Sequence, residues 1–358
     1  MAFFKSVMQT QERSPAQAAT RRGRDWLFAA VFGCCGMVSL PCLAADSQGK
    51  PVYDNPAATD ADFPFQGEYA GEVEADGQRM RFGVQVIAEG EGRFAVVGYP
   101  GGLPGAGAEM SQKFQGKGVR QGEGKDAIVT VEGVDAQGAA HRGEIRNGAL
   151  LVLDGSTEVA RFPKVERKSP TLGKKAPEGA TVVFDGTGLD GVEGGRITDD
   201  GLLMQGVRSK ATFGDATLHI EFRLPYQPQD RGQARGNSGA YVQGAYEVQM
   251  LDSFGLAGLD NECGGIYKAA APSVNMCLPP LSWQTYDIDF TAPRFEDGKK
   301  VAKARMTVRH NGVVIHENLE IPEGTPGGTN GEGEVGPLFL QDHGNPVRYR
   351  NIWIVPKS

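Results

Sequence analysis

Apolar and polar residues alternate in short runs along most of the chain after residue 45, and turn-forming residues separate these runs. Tyr69–Glu74 and Arg79–Ile87 are two such runs, and Asp76-Gly77 lies between them. A period of two predicts strands with one buried face, and Asp-Gly between two runs predicts a tight hairpin. Helical spacing of apolar residues is rare after residue 45. We therefore predict an all-β protein.

Composition shifts divide this pattern into segments. The first run of strands predicts a small β-sheet domain, and about ten later strands with Gly and Pro turns predict a jelly-roll-like sandwich of two antiparallel sheets. A polar stretch rich in Ala and Asp precedes the first unit, and a basic stretch with prolines joins the two units. The predicted segments are an export signal at 1–45, a disordered or extended leader at 46–62, an all-β accessory domain at 63–165, an exposed linker at 166–180 and the jelly-roll domain at 181–356.

The amino-terminal segment has the pattern of an export signal. Arg21, Arg22 and Arg24 precede the apolar run Trp26–Leu40, and small residues allow cleavage after Ala44. An uncleaved membrane anchor is the alternative. Cleavage predicts an exported protein, either periplasmic or secreted, with no membrane association afterwards.

Charge narrows the range of partners. The whole chain has a formal net charge of −7, and residues 1–45 carry +3, so the remainder carries −10. Such an acidic protein is a poor candidate for binding nucleic acid or an anionic membrane. A neutral ligand is easier to reconcile with this charge.

Two of the five cysteines, Cys263 and Cys277, lie outside the predicted signal. A pair of cysteines in an exported protein predicts a disulfide, which would stabilise the fold by about 3 kcal/mol. Two buried free thiols are the alternative.

The stretch 235–252 predicts a hairpin at the centre of the larger domain. Strands Ala240–Gln243 and Tyr246–Leu251 would flank a two-residue turn, Gly244-Ala245. This register places Val242 opposite Glu247, and it puts Gln249 on the same face as Glu247. That face would carry small neighbours and a carboxylate, and the opposite face would carry Tyr241, Gln243, Tyr246, Val248 and Met250.

Three polar groups offer chemistry. Glu247 and Asp252 would form a carboxylate pair for glycoside hydrolysis if a bulge brought Asp252 onto the face of Glu247. His343, in the loop after Gln341, is a candidate acid or base near neutral pH. A polar face exposed to water, and a histidine that only fixes a turn, are the alternatives.

Other charged residues indicate less specific roles. Alternation places His219, Glu221 and Arg223 on one face of a strand, as a surface ion pair or as part of a cleft. Asp252, Asp260, Asn261 and Glu262 offer the hard oxygen ligands that calcium prefers. We predict no resident cofactor or metal, with calcium as the alternative.

Five ordered motifs resemble one family. They are V-V-F-D-G-T-G-L-D at 182–190, I-E-F-R-L-P at 220–225, N-S-G-A-Y-V-Q-G-A-Y-E-V-Q-M-L-D at 237–252, E-C-G-G-I-Y at 262–267 and L-Q-D-H-G-N-P-V-R-Y-R-N-I-W at 340–353. Over about half of the chain, they resemble the domain of unknown function 1080 family, also called the 3-keto-disaccharide hydrolase domain. The preceding β unit resembles an accessory domain found beside this family in planctomycete-type exported proteins.

This resemblance implies a concanavalin-like jelly roll with a concave sugar-binding face, and action on glycosides oxidised at C3. The chemistry requires a base, a donor to the enolate oxygen and an acid for the leaving group. We expect Glu247 to serve as base or acid and His343 as a second proton-transfer group. The residues expected to bind substrate are Asn237, Tyr241, Gln249, Tyr267, Gln341 and Arg348.

Two other functions remain open at this point. A retaining glycosidase would use Glu247 and Asp252, with their carboxyl groups about 5–5.5 Å apart. A lectin-like module would keep the sugar contacts and need no proton transfer.

Overall fold

A computed structural model describes residues 49–75 and 78–357, with the side chain of Ala75 left out. The predicted export signal lies outside the described residues, as does the Asp76-Gly77 turn. Within the described ranges, no helix has the length and apolar character needed to cross a membrane.

The first unit is a closed barrel of eight antiparallel strands, each paired with the next along the chain. The first strand also pairs with the eighth, which closes the sheet. The strands are β1 Gly67–Ala75, β2 Gln78–Gly90, β3 Arg93–Pro100, β4 Phe114–Gln121, β5 Ile128–Val134, β6 Ala140–Arg146, β7 Ala149–Asp154 and β8 Thr157–Val165. β4 and β8 were not predicted, because Gly-rich and charged residues interrupt their alternation.

The barrel encloses its own apolar core, and its end packs on the second unit. Phe82, Phe94 and Phe162 are among the buried side chains inside it. Tyr226 and Leu281, from the second unit, belong to the same buried cluster. The two units therefore share buried surface.

The second unit contains the remaining strands of the described chain. They are β9 Thr181–Phe184, β10 Val192–Glu193, β11 Leu203–Met204, β12 Val207–Phe213, β13 Ala216–Arg223, β14 Asn237–Val242, β15 Tyr246–Leu251, β16 Trp283–Thr291, β17 Arg294–Glu296, β18 Lys299–Ala302, β19 Ala304–His310, β20 Val313–Ile321, β21 Gly336–Leu340 and β22 Arg348–Pro356. Most predicted strands recur here within one or two residues.

Two antiparallel sheets face each other and enclose the larger core. The five-stranded sheet has the order β10-β12-β21-β14-β15, and the seven-stranded sheet contains β9, β11, β22, β13, β16, β19 and β20. Val248 and Met250 from the first sheet and Ile220 and Tyr286 from the second lie in one buried cluster. The predicted all-β jelly-roll sandwich is confirmed.

The leader is ordered where the structure describes it. Residues 49–62 contain turns, the short 3-10 helix Pro56–Ala58 and an isolated β-bridge in which Tyr53 exchanges backbone hydrogen bonds of 2.8 and 3.0 Å with Tyr226. Asp54 forms an ion pair with Arg348. Residues 49–62 therefore make defined contacts with the second unit.

The inter-unit linker also packs onto the sandwich. Thr171 Oγ1 donates to Asp287 at 2.6 Å, and the backbone N–H of Gly173 donates to Glu221 at 2.5 Å. Ser169 is buried against Thr285. The linker is therefore not a solvated spacer throughout, because its hydroxyl and amide groups satisfy buried carboxylates.

Cys263 and Cys277 are both buried and unbridged. The Cys263 sulfur lies 3.3 Å from the Tyr286 hydroxyl, and the Cys277 sulfur lies 3.5 Å from the carbonyl oxygen of Leu251. The predicted disulfide is thus wrong for this structure, which instead has the alternative of two buried thiols, each with polar neighbours.

Candidate functional site

The central hairpin forms with a register that differs by one residue from the prediction. Tyr241 pairs with Glu247, and Val242 pairs with Tyr246. The connection therefore has three residues, and Gln243 and Gly244 take positive φ angles of 55° and 67°. A one-residue shift moves a side chain to the other face relative to the partner strand, so Tyr241 shares the face of Glu247.

This register completes a row of side chains across the five-stranded sheet. Glu193 pairs with Arg208, Arg208 with Phe339, Phe339 with Tyr241, and Tyr241 with Glu247. Opposed residues project from the same face. The row runs from an exposed edge at Glu193 to a buried carboxylate at Glu247, and it lies on the face turned away from the apolar core.

Glu247 is buried without a cation. Only 2% of the residue is exposed, and Oε2 lies 2.8 Å from the Tyr241 hydroxyl. Burial raises the pKa of Glu247 to about 8, and the hydrogen bond from Tyr241 offsets only part of that rise. Glu247 is therefore a neutral carboxylic acid at pH 7.

The hydrogen bonds of Tyr241 are consistent with that protonation state. Its hydroxyl lies 2.8 Å from Glu247 Oε2 and 2.9 Å from the carbonyl oxygen of Pro326, but it has only one proton. A protonated Glu247 can donate to the phenol oxygen while the phenol donates to Pro326. The acid and phenol then form a satisfied hydrogen-bonded chain.

Gly239 provides the space that Glu247 occupies. A Cβ atom at position 239 would lie 2.1 Å from Glu247 Oε1. Within the described residues, Oε1 makes no hydrogen bond, although Oε2 does. The oxygen above Gly239 is therefore the one available for proton transfer to a ligand.

An amide cluster lies beside the carboxylic acid. Asn237 Nδ2 donates to the Gln233 carbonyl at 2.8 Å, and Gln249 Nε2 approaches Gln233 Oε1 at 3.3 Å. Asn237 Oδ1 is buried and has no hydrogen-bond partner in the described chain. Such an unpaired acceptor suits a substrate hydroxyl.

A Gly-rich connection between β20 and β21 covers this end of the row. Thr325 Oγ1 accepts a hydrogen bond from the Glu247 backbone at 2.8 Å, and Gly327 packs against the Tyr241 hydroxyl. Asn330 Oδ1 lies 3.3 Å from Arg208 Nη1. This one segment therefore contacts Glu247, at the buried end of the row, and also Arg208, further along the row.

The remaining predicted residues on this side have clear positions. Gln341 follows β21, donates its backbone N–H to Gly239 at 3.0 Å, and lies 3.4 Å from the Tyr241 hydroxyl through Nε2. Tyr267 is half-buried, and its backbone N–H donates to the carbonyl oxygen of Glu247 at 3.2 Å. His343 is half-buried two residues beyond Gln341, and the described hydrogen bonds do not link it to Glu247.

Asp252 has a different role from the one predicted. It follows the last residue of β15, and the β14–β15 pairing contains no bulge that would turn it towards Glu247. Its Oδ2 lies 2.6 Å from Arg235 Nε, and both side chains are buried. Arg235 also donates to the Ala88 carbonyl at 3.3 Å in the barrel. Asp252 therefore pairs with an arginine that contacts the barrel, and it does not face Glu247.

Arg348 also lies away from the row. It is on β22 in the seven-stranded sheet and contacts Asp54 at 2.5 Å and Gln205 at 3.2 Å. Arg348 was expected to bind substrate oxygens, but the structure does not bring it together with Glu247, because strand alternation alone does not say to which sheet a strand belongs.

The proposed calcium ligands are also used elsewhere. Glu262 accepts backbone hydrogen bonds from Gly258 at 2.6 Å and Leu259 at 3.0 Å, while Asp252 binds Arg235. Among the residues that the structure describes, no group of three or more His, Cys, Asp or Glu side chains is placed to hold a metal.

Sequence reasoning missed Arg208, Gln233, Thr325 and Phe339. Phe339 alternates with Gln341 in one strand, so that period-two pattern could have indicated it. The others have no local signal, because their contacts with the site come from distant segments.

Comparison with known proteins gives a consistent result. Residues 179–355 match the model of the 3-keto-alpha-glucoside-1,2-lyase-like domain. No curated protein matches the chain. Three solved structures of candidate glycosyl hydrolases from Parabacteroides distasonis ATCC 8503 are similar to it. The first has 34% identity and a TM-score of 0.47, and the alignment covers 51% of this chain and 85% of that one. The second has 17% identity and a TM-score of 0.37, and the alignment covers 51% of this chain and 95% of that one. The third has 20% identity and a TM-score of 0.37, and the alignment covers 50% of this chain and 99% of that one.

Proposed function

The chain belongs to the family of 3-keto-alpha-glucoside-1,2-lyase-like domains, and we propose that it is an exported enzyme that cleaves 3-keto-glycosides by proton transfer through Glu247. Its larger domain is glycosyl hydrolase-like, which supports action on carbohydrate. The observation that carries the proposal is Glu247 itself, a carboxylic acid buried against Tyr241 with no cation to ionise it.

The reaction follows from the ketone. A carbonyl at C3 acidifies the C2–H bond, so a base can remove that proton and leave an enolate. The electron pair then forms the C1–C2 double bond and expels the glycosidic oxygen, which takes a proton from an acid. Water adds to the resulting enone and gives the free 3-keto sugar.

Glu247 is the acid in this scheme. Its pKa of about 8 keeps it protonated at neutral pH, and Oε1, which lies above Gly239, is the oxygen that we assign to donate the proton. A carboxylic acid with a raised pKa is a suitable donor to a leaving group. Asn237 Oδ1 accepts a hydrogen bond from a substrate hydroxyl beside it, and Gln249 is the second amide at this position.

His343 is the proposed base for the C2 proton. It lies on the connection that begins with Gln341, whose side chain reaches the Tyr241 hydroxyl. A neutral imidazole has one ring nitrogen that can accept a proton. This assignment is separable from that of Glu247, because His343→Gln tests it alone.

The retaining-glycosidase alternative requires Asp252 as a nucleophile. The buried ion pair with Arg235 occupies its Oδ2, so we favour elimination. The lectin-like alternative makes no use of a neutral buried acid.

The test is to incubate the purified protein with 3-keto-trehalose and 3-keto-glucosides, alongside Glu247→Gln. We expect the variant to lose roughly 10²–10⁴-fold in kcat, and the wild-type rate to fall as pH rises through the Glu247 pKa of about 8. The matched control is Glu317→Gln, at an exposed glutamate of β20.

Each alternative has its own outcome. Full activity in Glu247→Gln would contradict the site. Binding without cleavage would favour the lectin-like module. Cleavage of unoxidised glycosides that depends on Asp252 would favour the retaining glycosidase.

A further inference from the structure

A cleft of about 410 Å³ lies where the barrel meets the sandwich. Residues around β1 and β8 of the barrel line one side, and the connection 279–282 before β16 lines another. We propose that this junction cleft binds a small organic anion, namely a monocarboxylate with an apolar body. The inference is independent of the cleavage at Glu247, because none of the described lining residues belongs to the five-stranded sheet.

Lys164 brings a positive charge to the cleft that no carboxylate balances. Its Nζ donates to the carbonyl oxygen of Pro64 at 2.7 Å, and among the described residues it forms no ion pair. An ammonium group has three donors, so two remain for a ligand. The Lys164 stem lies across Gly67, where a Cβ atom would be 2.7 Å from Lys164 Cε. Glycine at position 67 therefore leaves the space that lets the ammonium group reach the cleft.

The other charged groups that line the cleft are already paired. Glu68 is buried, and its two oxygens accept from Arg167 Nε at 2.6 Å and from Nη2 at 2.5 Å. Glu166 lies 3.6 Å from Lys168. A bound anion would therefore neutralise the charge of Lys164 rather than compete for a charge that the fold already uses.

The shape of the cleft affects Lys164 although the side chain remains accessible. The residue is exposed, yet partial desolvation by the surrounding walls lowers the pKa of its ammonium group to about 8. A nearby anion favours the charged form and raises that pKa again. Binding of a carboxylate above pH 8 should therefore be accompanied by proton uptake.

Apolar side chains line the cleft beside these charges and suit the body of the ligand. Leu281 is buried, and Phe63 and Pro279 are half-buried. The Phe63 ring packs edge-on against Tyr226 with a centroid distance of 5.0 Å, which fixes its position. Phenyl and proline rings offer no hydrogen bonds, so a heavily hydroxylated ligand would leave polar groups unpaired against them.

Gln66 adds a donor without an acceptor. Its Oε1 accepts from the backbone N–H of Ala88 at 3.1 Å, but Nε2 is buried and has no partner in the described chain. An unpaired donor at the cleft favours a ligand that brings acceptor oxygens. A carboxylate has such oxygens and also the charge that Lys164 lacks as a partner.

The experiment compares an acid with its neutral amide. Isothermal titration calorimetry at pH 7 would give Kd for phenylacetate and for phenylacetamide with the purified protein. We expect the acid to bind roughly 10-fold more tightly, because only the acid accepts charge-assisted hydrogen bonds from Lys164. Lys164→Gln should abolish this preference. Lys117→Gln, at an exposed lysine of β4 in the same barrel, should leave it unchanged.

A second measurement follows the proton. Titrations of phenylacetate at about pH 9, in buffers that differ in ionisation enthalpy, should show proton uptake by the wild type. Lys164→Arg keeps its charge at this pH, so it should retain the preference for the acid without proton uptake.

Three results would overturn the inference. They are an equal affinity for the acid and the amide, no binding of phenylacetate at millimolar concentration, and a preference for the acid that survives Lys164→Gln. None of these titrations involves cleavage, so failure of the reaction proposed at Glu247 would leave the junction cleft standing, and the reverse also holds.

Discussion

Two glutamates of the same domain are equally buried but have opposite protonation states. Glu221, on the seven-stranded sheet, is 0% exposed, and Glu247, on the five-stranded sheet, is 2% exposed. Burial alone would raise the pKa of Glu221, but hydrogen bonds from His219, Asn351, Arg350 and the backbone of Gly173 lower it to about 2. Glu247 has only Tyr241 to offset its burial, and its pKa rises to about 8.

The difference shows that burial of a carboxylate does not by itself mark a functional site. Glu221 lies 2.7 Å from Arg350 and 2.8 Å from Asn351, so its charge is matched within the fold. The expectation of a surface ion pair among His219, Glu221 and Arg223 was therefore wrong about exposure, and the arginine that pairs with Glu221 is Arg350 rather than Arg223. Both carboxylate oxygens of Glu221 accept hydrogen bonds within the fold, whereas only Oε2 of Glu247 is hydrogen-bonded among the described residues.

The largest expected effect is on stability at Glu221. Glu221→Gln leaves Arg350 and its neighbours without the buried charge, and we expect unfolding free energy to fall by about 3–5 kcal/mol. Urea unfolding followed by tryptophan fluorescence measures this, because Trp283 and Trp353 both lie in this domain. The exposed Glu320→Gln should leave the urea midpoint nearly unchanged. A loss as small as that control would contradict the view that Glu221 is structural.

At Glu247, in contrast, we expect replacement of the carboxylate to stabilise the protein at high pH. The pKa of Glu247 is higher in the folded state than in the unfolded state, so wild-type stability falls as pH rises from about 4.3 towards 8. Glu247→Gln has no proton to lose, and we expect it to be more stable than wild type at pH 9 by roughly 1–4 kcal/mol. The two proteins should differ little at pH 4. Equal urea midpoints at both pH values would contradict the raised pKa.

A smaller effect is expected at Gly239. Gly239→Ala places a methyl group where Glu247 Oε1 lies, so the carboxyl group must move while its burial is kept. We expect kcat to fall roughly 10–100-fold, which corresponds to about 1.4–2.7 kcal/mol. Steady-state kinetics at pH 7 provides the measurement. Gly188→Ala is the control, because a Cβ there meets no atom within 4 Å. Unchanged kcat would show that Oε1 does not need this position.

The smallest effect concerns the phenol. When Glu247 is ionised, the Tyr241 phenol donates to its carboxylate, and this charge-assisted hydrogen bond is stronger than the one that the protonated acid makes to the phenol oxygen. Tyr241→Phe removes it, so the pKa of Glu247 should rise further and the alkaline limb of the rate profile should move to higher pH. The lost hydrogen bond is worth about 1 kcal/mol, so kcat should fall only several-fold. A pH–rate profile of wild type and variant provides the comparison. An alkaline limb that does not move would assign it to another group.

The part of the fold set by local pattern was predictable. Period-two alternation located most strands of the larger domain. The central hairpin was found for the same reason, but its register was not. A Gly-X turn was expected at Gly244-Ala245, whereas Gln243 takes a positive φ and its side chain donates to the Phe213 carbonyl at 2.9 Å. That distant contact has no signature in the local sequence.

The sequence by itself determined the all-β class, the family motifs and Glu247 as the principal chemical candidate, because alternation and motif order are local properties. Only the tertiary structure decided that Tyr241 lies beside Glu247, that Asp252 binds Arg235, and that Arg348 belongs to the other sheet. It also decided the charge of each buried glutamate, because a pKa depends on the partners that the fold brings within hydrogen-bonding distance. Those partners come from segments far apart in the chain, as with Gly173 and Asn351 at Glu221.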